Sequence, residues 1–338
     1  MMLISVVIPT FNRSRLLGRT LPALMNQVTE PWFDYEVLFV SNGSSDETGE
    51  ILCSAEKEHP DRLRYFHIDP TGGPSAPRNH GIRLARGEII IILDDDVLPD
   101  PMLVIEHARF HRSFPVKQHA GLGEVYVPAD RQTDPMALFH SFPYDEVRGK
   151  ETLSFLYFWT CNVSFKRSFM FEAGMFDERF LFYEDVICAH KMQANGMHLR
   201  FVPEARGQHL HEMKSGGVAA KGRFYGHWLY EFFQAYPEPA IMRRFEIVSS
   251  QCGPSLLLHS ALRRLRFRMI DNFVTRLCLR AAGAANGRRS RISDFYYQYE
   301  LRRNIFAGYK ARSHSSVPLV QKQATTEVQE MRKGGINQ

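Results

Sequence analysis

The segment that most constrains the fold is a run of five aliphatic residues followed by three adjacent aspartates. Residues 89–93 are Ile-Ile-Ile-Ile-Leu, which predicts a strand buried on both faces of a parallel sheet. Asp94, Asp95 and Asp96 follow at its carboxyl end, where open α/β sheets bind their ligands. Three adjacent carboxylates repel one another unless a cation compensates them. Two interpretations follow: a divalent metal that carries a diphosphate, or a solvated acidic turn.

Strands and helices alternate on the N-terminal side of this segment. Three earlier strands are predicted at residues 3–8, 35–40 and 63–68. Helices are predicted at residues 12–27, 47–58 and 78–85, the first of them capped by Asn12. This alternation predicts an α/β fold in which helices flank both faces of a mostly parallel sheet.

The pattern becomes less regular after Pro99. Further helices are predicted at residues 102–114, 168–173, 184–196 and 218–236, and further strands at 121–127, 157–165 and 199–202. Residues 128–150 are irregular and predict a mobile loop over a site. Residues 256–285 combine one apolar stripe with many arginines. We predict a main domain over residues 1–212, a basic helical extension over 213–312 and a flexible tail over 313–338.

The net charge of +5 hides an asymmetry along the chain. From residue 213 onward there are 21 Lys and Arg against 8 Asp and Glu, whereas residues 1–212 carry 21 against 29. The basic part therefore predicts an anionic partner. Its helices are expected to cover the main domain or to lie on an anionic membrane surface. No nucleic-acid recognition module is present in the sequence, so nucleic acid is not an expected partner.

The sequence pattern also bears on location. No apolar run approaches the roughly 20 residues that a membrane-spanning helix needs, and the N-terminus leads into a strand without a signal-peptide pattern. The five cysteines are scattered without a CxxC pair, so neither a zinc site nor a disulfide framework is predicted. We predict a cytoplasmic protein, which would attach peripherally to the inner face of the membrane if its basic helices lie on that surface.

Six motifs in order give the chain a family resemblance. They are SVVIPTFNR, VSNGSSDET, PRNHG, LDDDVLP, FDERFLFYEDV and PEARGQH. With these motifs the chain resembles the family 2 glycosyltransferases of the GT-A fold, over roughly residues 4–215. The resemblance implies a Rossmann-like sheet whose nucleotide-binding half is residues 1–100 and whose acceptor half is residues 101–212. It also implies an inverting enzyme that uses a nucleotide diphospho-sugar, with a hydroxyl group of a glycan or lipid-linked saccharide as acceptor.

The resemblance assigns the acidic triplet and a distant histidine to the donor. Asp96 is the implied metal ligand, and Asp94 and Asp95 are implied to lie near the ribose or diphosphate. His209 occupies the histidine position that completes the metal shell, with His211 in reserve. Mn²⁺ or Mg²⁺ is the implied cofactor, and an imidazole ligand favours Mn²⁺.

The nucleotide is expected over the ends of the first strands. Pro9 and Thr10 are implied to shape the base pocket, and Asn42 occupies a position where relatives often have an aspartate that binds the base. At the position of Ser41 the family commonly has an aspartate. This departure leaves the identity of the nucleotide base open, with uridine favoured. Arg78 corresponds to an arginine near the nucleotide. Turn chemistry for Asn42 and a surface position for Arg78 are the structural alternatives.

The acceptor hydroxyl needs a base, because a sugar hydroxyl is a weak nucleophile. The resemblance implies Asp185 as that base, with Glu184 orienting a substrate. A purely structural alternative is that both acids favour a helix N-terminus.

Three other functions fit parts of the pattern. A haloacid-dehalogenase-type phosphatase would use Asp94 as its nucleophile, but that motif normally opens its domain. A nucleotidyltransferase would use Asp94 and Asp96 but usually has a glycine-rich phosphate loop. An inactive binding or scaffold member of the family would not need the acids and the histidine together.

Overall fold

The computed structural model describes residues 1–132, 134, 142–210, 217–236, 277 and 291–314. These residues fall into two compact units. Residues 1–128 and 142–210 belong to the first unit, and two long helices of the basic C-terminal part belong to the second. Every described candidate site residue lies in the first unit.

An eight-stranded mixed sheet forms the centre of the first unit. Its strands are β1 Met2–Thr10, β2 Phe33–Asn42, β3 Leu63–Ile68, β4 Ile89–Leu93, β5 Val97–Pro99, β6 His119–Tyr126, β7 Asn162–Lys166 and β8 His198–His209. Their order across the sheet is β3-β2-β1-β4-β7-β6-β8-β5. The first four strands of this order are parallel, whereas β7 runs antiparallel to β4 and β6. The predicted α/β fold is confirmed, and its sheet is mixed because of β5 and β7.

Helices connect the strands at nearly the predicted positions. They are α1 Ser14–Met25, α2 Thr48–Glu58, α3 Ser75–Leu84, α4 Leu103–Ser113, α5 Arg167–Glu172 and α6 Glu184–Ala194. The predicted strand at residues 157–165 is wrong in its first half, because a 3-10 turn at Phe155–Tyr157 precedes β7. Within the predicted loop at 128–150, two 3-10 turns are described, and residues 133 and 135–141 lie outside the described residues.

The aliphatic run that precedes the triplet forms β4, as predicted. All five of its side chains are 0% exposed, and the strand has a hydrogen-bonded neighbour on each edge, β1 and β7. Ile89, Ile91 and Leu93 share one core cluster with residues of β1 and β2. Burial of each such side chain contributes roughly 1.5–3 kcal/mol, so β4 is a rigid support for the residues that follow it.

The predicted cap of α1 is wrong. Arg13, not Asn12, is the N-terminal flanking residue of α1, and no side chain caps the helix there. Asn12 has a left-handed backbone with φ of 53°, and its side-chain oxygen accepts a hydrogen bond from the backbone N–H of Ser45 at 2.8 Å. Asn12 therefore ties the end of β1 to the loop after β2.

A buried polar network joins α4 to β7. The Ser164 hydroxyl lies 2.8 Å from His107 Nδ1 and 2.9 Å from His111 Nε2, and His107 Nε2 lies 2.9 Å from Asn162 Oδ1. Both histidines are almost fully buried. Burial lowers the pKa of His107 to about 4 and that of His111 well below its usual value. Both side chains are therefore neutral in the folded protein near neutral pH.

These histidines predict a loss of stability in acid. Between an unfolded-state pKa of 6.5 and the folded value of about 4, the unfolded chain binds protons that the folded protein excludes, so stability falls as the pH drops through that window. His107→Gln stays neutral, and we expect it to reduce the loss by on the order of 2 kcal/mol. Melting temperatures of the variant and the parent protein between pH 7 and 4 measure the loss of stability in acid. The exposed His59→Gln is the control, and equal pH slopes for both variants would contradict the prediction.

Two helices of the second unit are described, and they pack closely. They are α7 Val218–Ala235, which confirms the helix predicted at 218–236, and α8 Arg291–Ser313. A Cβ on Gly226 would lie 1.9 Å from the Ile305 carbonyl oxygen, so only glycine permits this backbone approach. Within the described ranges, no helix is long and apolar enough to span a membrane. The arginine-rich segment 256–285 lies outside the described residues except for Leu277, and so does the tail after residue 314.

Candidate active site

The acidic triplet lies between β4 and β5 at the carboxyl end of the parallel strands. Asp95 and Asp96 are 9% and 3% exposed, whereas about a third of the Asp94 side chain is exposed. Burial raises the pKa of Asp94 to about 7, Arg78 opposes the shift, and the charges of Asp96 and Asp95 reinforce it. Burial also raises the pKa of Asp95. The solvated-turn interpretation is therefore wrong, because two of the three carboxylates are buried.

Arg13 holds two of these carboxylates and was not identified from the sequence. Its Nε lies 2.8 Å from Asp95 Oδ1, and its Nη2 lies 3.4 Å from Asp96 Oδ2. Its backbone N–H donates to Thr48 Oγ1 at 2.7 Å, and the backbone N–H of Phe11 donates to Asp95 Oδ2 at 3.3 Å. The available signal was its position at the end of the SVVIPTFNR motif.

Asp96 and His209 are brought together by a strand pairing. β5 pairs with the end of β8, with Val97 opposite His209, and the backbone N–H of Leu210 donates to the Asp96 carbonyl at 2.8 Å. His209 Nε2 consequently lies 3.6 Å from Asp96 Oδ1. His211, the reserve candidate, lies outside the described residues.

This pair fits a metal that brings other ligands with it. A carboxylate oxygen and an imidazole nitrogen 3.6 Å apart suit a single Mn²⁺-like cation. No group of three or more His, Cys, Asp or Glu residues with metal-site geometry occurs in the described part of the chain. Asp96 and His209 therefore fit a cation whose remaining ligands are water and substrate, and they do not form a complete protein cage.

Arg78 links the triplet to the N-terminus of α6. Its Nη1 lies 2.5 Å from Glu184 Oε1, and its Nη2 lies 3.4 Å from Asp94 Oδ1. The side chain is 4% exposed, and its guanidinium carbon is 5.5 Å from the centre of the Phe176 ring. Its Nε is buried without a hydrogen-bond partner among the described residues. The structural alternative of a surface arginine is therefore wrong.

Glu184 and Asp185 form the first turn of α6. Tyr183 precedes them with a left-handed backbone, φ of 62°, and is 7% exposed. This backbone conformation is uncommon outside glycine. Burial, with the charge of Glu184, raises the pKa of Asp185 to about 7. A carboxyl group with such a pKa accepts a proton readily near neutral pH.

The buried Cys161 lies next to the acidic triplet, where its backbone carbonyl accepts a hydrogen bond from the Asp94 N–H at 3.2 Å. Its pKa is raised well above its usual value by burial, and the charges of Asp94, Asp96 and Asp185 add to the shift. The ion pairs of Arg78 with Asp94 and Glu184 join the triplet to the start of α6, and Cys161 lies beside the triplet just before β7. A thiol with a raised pKa is a poor nucleophile, so Cys161 has a packing role.

The predicted nucleotide-binding residues lie at the ends of β1 and β2. Pro9 and Thr10 end β1, and Thr10 is 2% exposed. The Asn42 carbonyl accepts from the backbone N–H and the hydroxyl of Thr71, at 2.9 and 3.0 Å, and its amide donates to the Gly73 carbonyl at 2.9 Å. Both acceptor sites of the Asn42 oxygen are thus in use. One amide hydrogen is left for a ligand.

The structure brings most of the candidate residues into one cluster. Arg78 lies between the triplet and α6, and His209 lies beside the triplet. Asn42 is two strands away from β4 across the sheet, with β1 between them. The candidate site therefore has a predicted nucleotide side at β2 and β1, an acidic centre after β4, and a further side at β7 and β8.

Comparison with known proteins identifies the family of the chain. Residues 5–170 match the model of the family described as Glycosyl transferase family 2. The validoxylamine A glucosyltransferase of Streptomyces hygroscopicus subsp. limoneus is 32% identical over 235 residues, covering 61% of this chain and 51% of that protein. The chain spans about half the length of the curated relatives it matches.

Two solved structures share the fold. The mannosyltransferase PcManGT from Pyrobaculum calidifontis, in complex with GDP-Man and Mn²⁺, superposes with a TM-score of 0.61 at 19% identity, over 93% of this chain and 88% of that one. S. aureus TarS 1–349 in complex with UDP superposes with a TM-score of 0.52 at 16% identity, over 98% and 92%. At these identities the likeness concerns the fold alone.

Proposed function

Because the chain belongs to glycosyltransferase family 2, we propose that it transfers a sugar from a nucleoside diphosphate sugar to a hydroxyl group of a saccharide acceptor. The observation that carries this proposal is the cluster of the triplet, His209 and the first turn of α6, which Arg78 joins to the triplet. The acceptor is a glycan or a lipid-linked saccharide, and the product has the inverted anomeric configuration. The family match favours this function over the phosphatase and nucleotidyltransferase hypotheses.

The donor diphosphate is proposed to bind beside Asp96 and His209. Carboxyl groups outnumber guanidinium groups in this cluster, so a free diphosphate would be repelled. The acids are Asp94, Asp95, Asp96, Glu184 and Asp185, and the arginines are Arg13 and Arg78. Asp96 and His209 would hold Mn²⁺ or Mg²⁺, which supplies positive charge to the departing diphosphate. Asp94, a third exposed, is positioned to contact the ribose or the diphosphate.

Asp185 is proposed as the base that takes the proton of the acceptor hydroxyl. Its raised pKa matches this role, and Arg78 holds the neighbouring Glu184 in position through the ion pair. Direct attack of that hydroxyl on the anomeric carbon, opposite the diphosphate, inverts the configuration without a covalent enzyme intermediate. Arg78 acts as a positioning residue between the donor and acceptor sides.

The nucleotide base of the donor is proposed to bind near Pro9, Thr10 and Asn42. The remaining amide hydrogen of Asn42 suits a carbonyl oxygen, which uracil and guanine both carry. Uridine is the proposed base, and guanosine is the direct competitor.

A donor screen tests the proposed function. UDP- and GDP-sugars are titrated with Mn²⁺, with Mg²⁺ or with chelator, and binding and slow donor hydrolysis are measured. We expect one donor to bind and to be hydrolysed only with metal. No binding of any donor with either metal would overturn the proposal, and binding that persists in chelator would remove the metal from it.

A further inference from the structure

Three aromatic side chains lie on the β7 and β8 side of the candidate site. Phe142, Tyr157 and Trp159, here called the aromatic platform, are each partly exposed. The Trp159 ring centre lies 4.9 Å from that of Phe142 and 5.5 Å from that of Tyr157. The buried Tyr144 supports them from beneath, 5.2 Å from Trp159. The four rings therefore pack in one contiguous cluster, in which Tyr144 and Tyr157 stand edge-on to Trp159.

The aromatic platform adjoins both halves of the proposed chemistry. The Phe142 ring centre lies 6.4 Å from that of His209. Trp159 lies two residues before Cys161, whose backbone carbonyl accepts a hydrogen bond from the Asp94 N–H at 3.2 Å. The 3-10 turn that carries Tyr157 packs on α6, where Phe155 lies 5.5 Å from His190. The aromatic platform therefore adjoins His209 and the segment that carries the acidic triplet.

The position across the sheet separates the aromatic platform from the nucleotide. Asn42 ends β2, the triplet follows β4, and the platform precedes β7 and adjoins the end of β8. The platform and the nucleotide side thus lie on opposite sides of the triplet. An aromatic surface next to carboxylates suits a ligand that has an apolar face and polar edges, which is the character of a pyranose ring.

We propose that the aromatic platform binds a pyranose ring of the acceptor saccharide, with Trp159 as its central stacking residue. Within the described residues the Trp159 indole N–H donates no hydrogen bond, so it is available to a sugar hydroxyl. Tyr157 is fixed by its hydroxyl, which donates to Glu146 Oε2 at 2.9 Å. This inference rests on the proposed function, since it names the acceptor subsite of that same site.

Tryptophan fluorescence tests the inference without requiring a donor. The chain has three tryptophans, Trp32, Trp159 and Trp228, so Trp32→Phe with Trp228→Phe leaves Trp159 as the only emitter. Methyl pyranosides of glucose, galactose, mannose and N-acetylglucosamine are added up to about 100 mM, which reveals weak binding. We expect a saturable change in emission with at least one of them. No change with any of the four would overturn the inference.

The matched control keeps Trp32 as the emitter through Trp159→Phe and Trp228→Phe. Trp32 precedes β2 at the opposite end of the sheet, so its emission is expected to stay constant. An equal response from Trp32 would mean a nonspecific sugar effect and would also overturn the inference. A response confined to Trp159 supports the acceptor subsite whether or not the donor screen succeeds. A failure of the acceptor subsite can therefore be distinguished from a failure of the proposed function.

A kinetic comparison then separates acceptor binding from a structural role. Trp159→Ala is expected to lower transfer to the responding pyranoside at least about tenfold more than it lowers donor hydrolysis, with Trp159→Phe intermediate. Melting temperatures of both variants report folding. Equal losses of transfer and hydrolysis in Trp159→Ala would assign Trp159 to the donor or to the fold and would overturn the proposal.

Discussion

Asp185→Asn is expected to reduce sugar transfer by roughly 10²–10⁴-fold while donor binding persists. The amide has the shape of the carboxyl group but cannot take the proton of the acceptor hydroxyl. Initial rates of transfer and donor affinity, measured on the same protein, separate the two effects. The control is Glu178→Gln, an exposed acid that bonds to Asn79 outside the cluster. Full transfer activity in Asp185→Asn would contradict the assignment of the base.

The pH dependence adds a second readout of the same residue. The base must be ionised, and the pKa of Asp185 is about 7, so kcat/KM is expected to rise with pH and to level off above that value. In Asp185→Asn the residual activity should lack this rise.

The raised pKa of Asp185 also makes the stability of the folded protein depend on pH. Between pH 3.8 and about 7 the folded protein holds a proton that the unfolded chain has lost, so this group reduces stability as the pH rises through that range. Asp185→Asn should therefore be the more stable protein at pH 8, by on the order of 1–2 kcal/mol, and should match the parent protein near pH 4. A lower melting temperature at pH 8 would contradict this.

Asp96→Ala is expected to remove the metal dependence of donor binding, with the largest loss in affinity among the triplet variants. Asp96 lies beside His209, and its loss also removes one of the ion pairs of Arg13. Donor titrations with Mn²⁺, and with chelator, measure the effect. His209→Ala should weaken Mn²⁺-dependent binding in the same direction, because the two side chains form one pair.

The matched control for Asp96 is Asp100→Asn. Asp100 follows β5, and its carboxylate accepts a hydrogen bond from the Tyr126 hydroxyl at 2.9 Å. The Asp100→Asn variant tests whether the loss of any acid near β5 removes the metal dependence of donor binding. Donor binding by Asp96→Ala that still depends on metal as in the parent protein would exclude Asp96 as a ligand.

The sequence predicted the parallel half of the sheet because each strand there has its own pattern. Aliphatic runs precede turn residues at the end of β1, β2 and β4, and helices follow at short intervals. β5 has no such pattern, since three residues ending in proline resemble a turn. β8 was predicted only to residue 202, because Pro203 and Gly207 interrupt its alternation. Strand direction at β7 depends on distant partners and not on its own residues.

The motifs predicted which residues belong to the candidate site, but they did not predict the ion pairs between those residues. The acids and His209 stand in recognisable segments, but no pattern shows that Arg13 turns toward carboxylates more than 80 positions away. Asn12 was misjudged for a related reason. Its side chain bonds to a loop that arrives from β2, whereas a helix cap is a local feature. Sequence periodicity identifies elements, and long-range hydrogen bonds decide which side chains remain available.

The pairing of β5 with β8 determines when the site becomes complete during folding. Strands β1 to β4 lie within the first hundred residues of the chain, whereas the partner of β5 is synthesised roughly 100 residues later. A three-residue strand has no stability of its own, so β5 docks only when the end of β8 arrives. The nucleotide side therefore forms early in synthesis, and Asp96 meets His209 late. A nascent chain that has not yet reached β8 has its acidic triplet without the histidine.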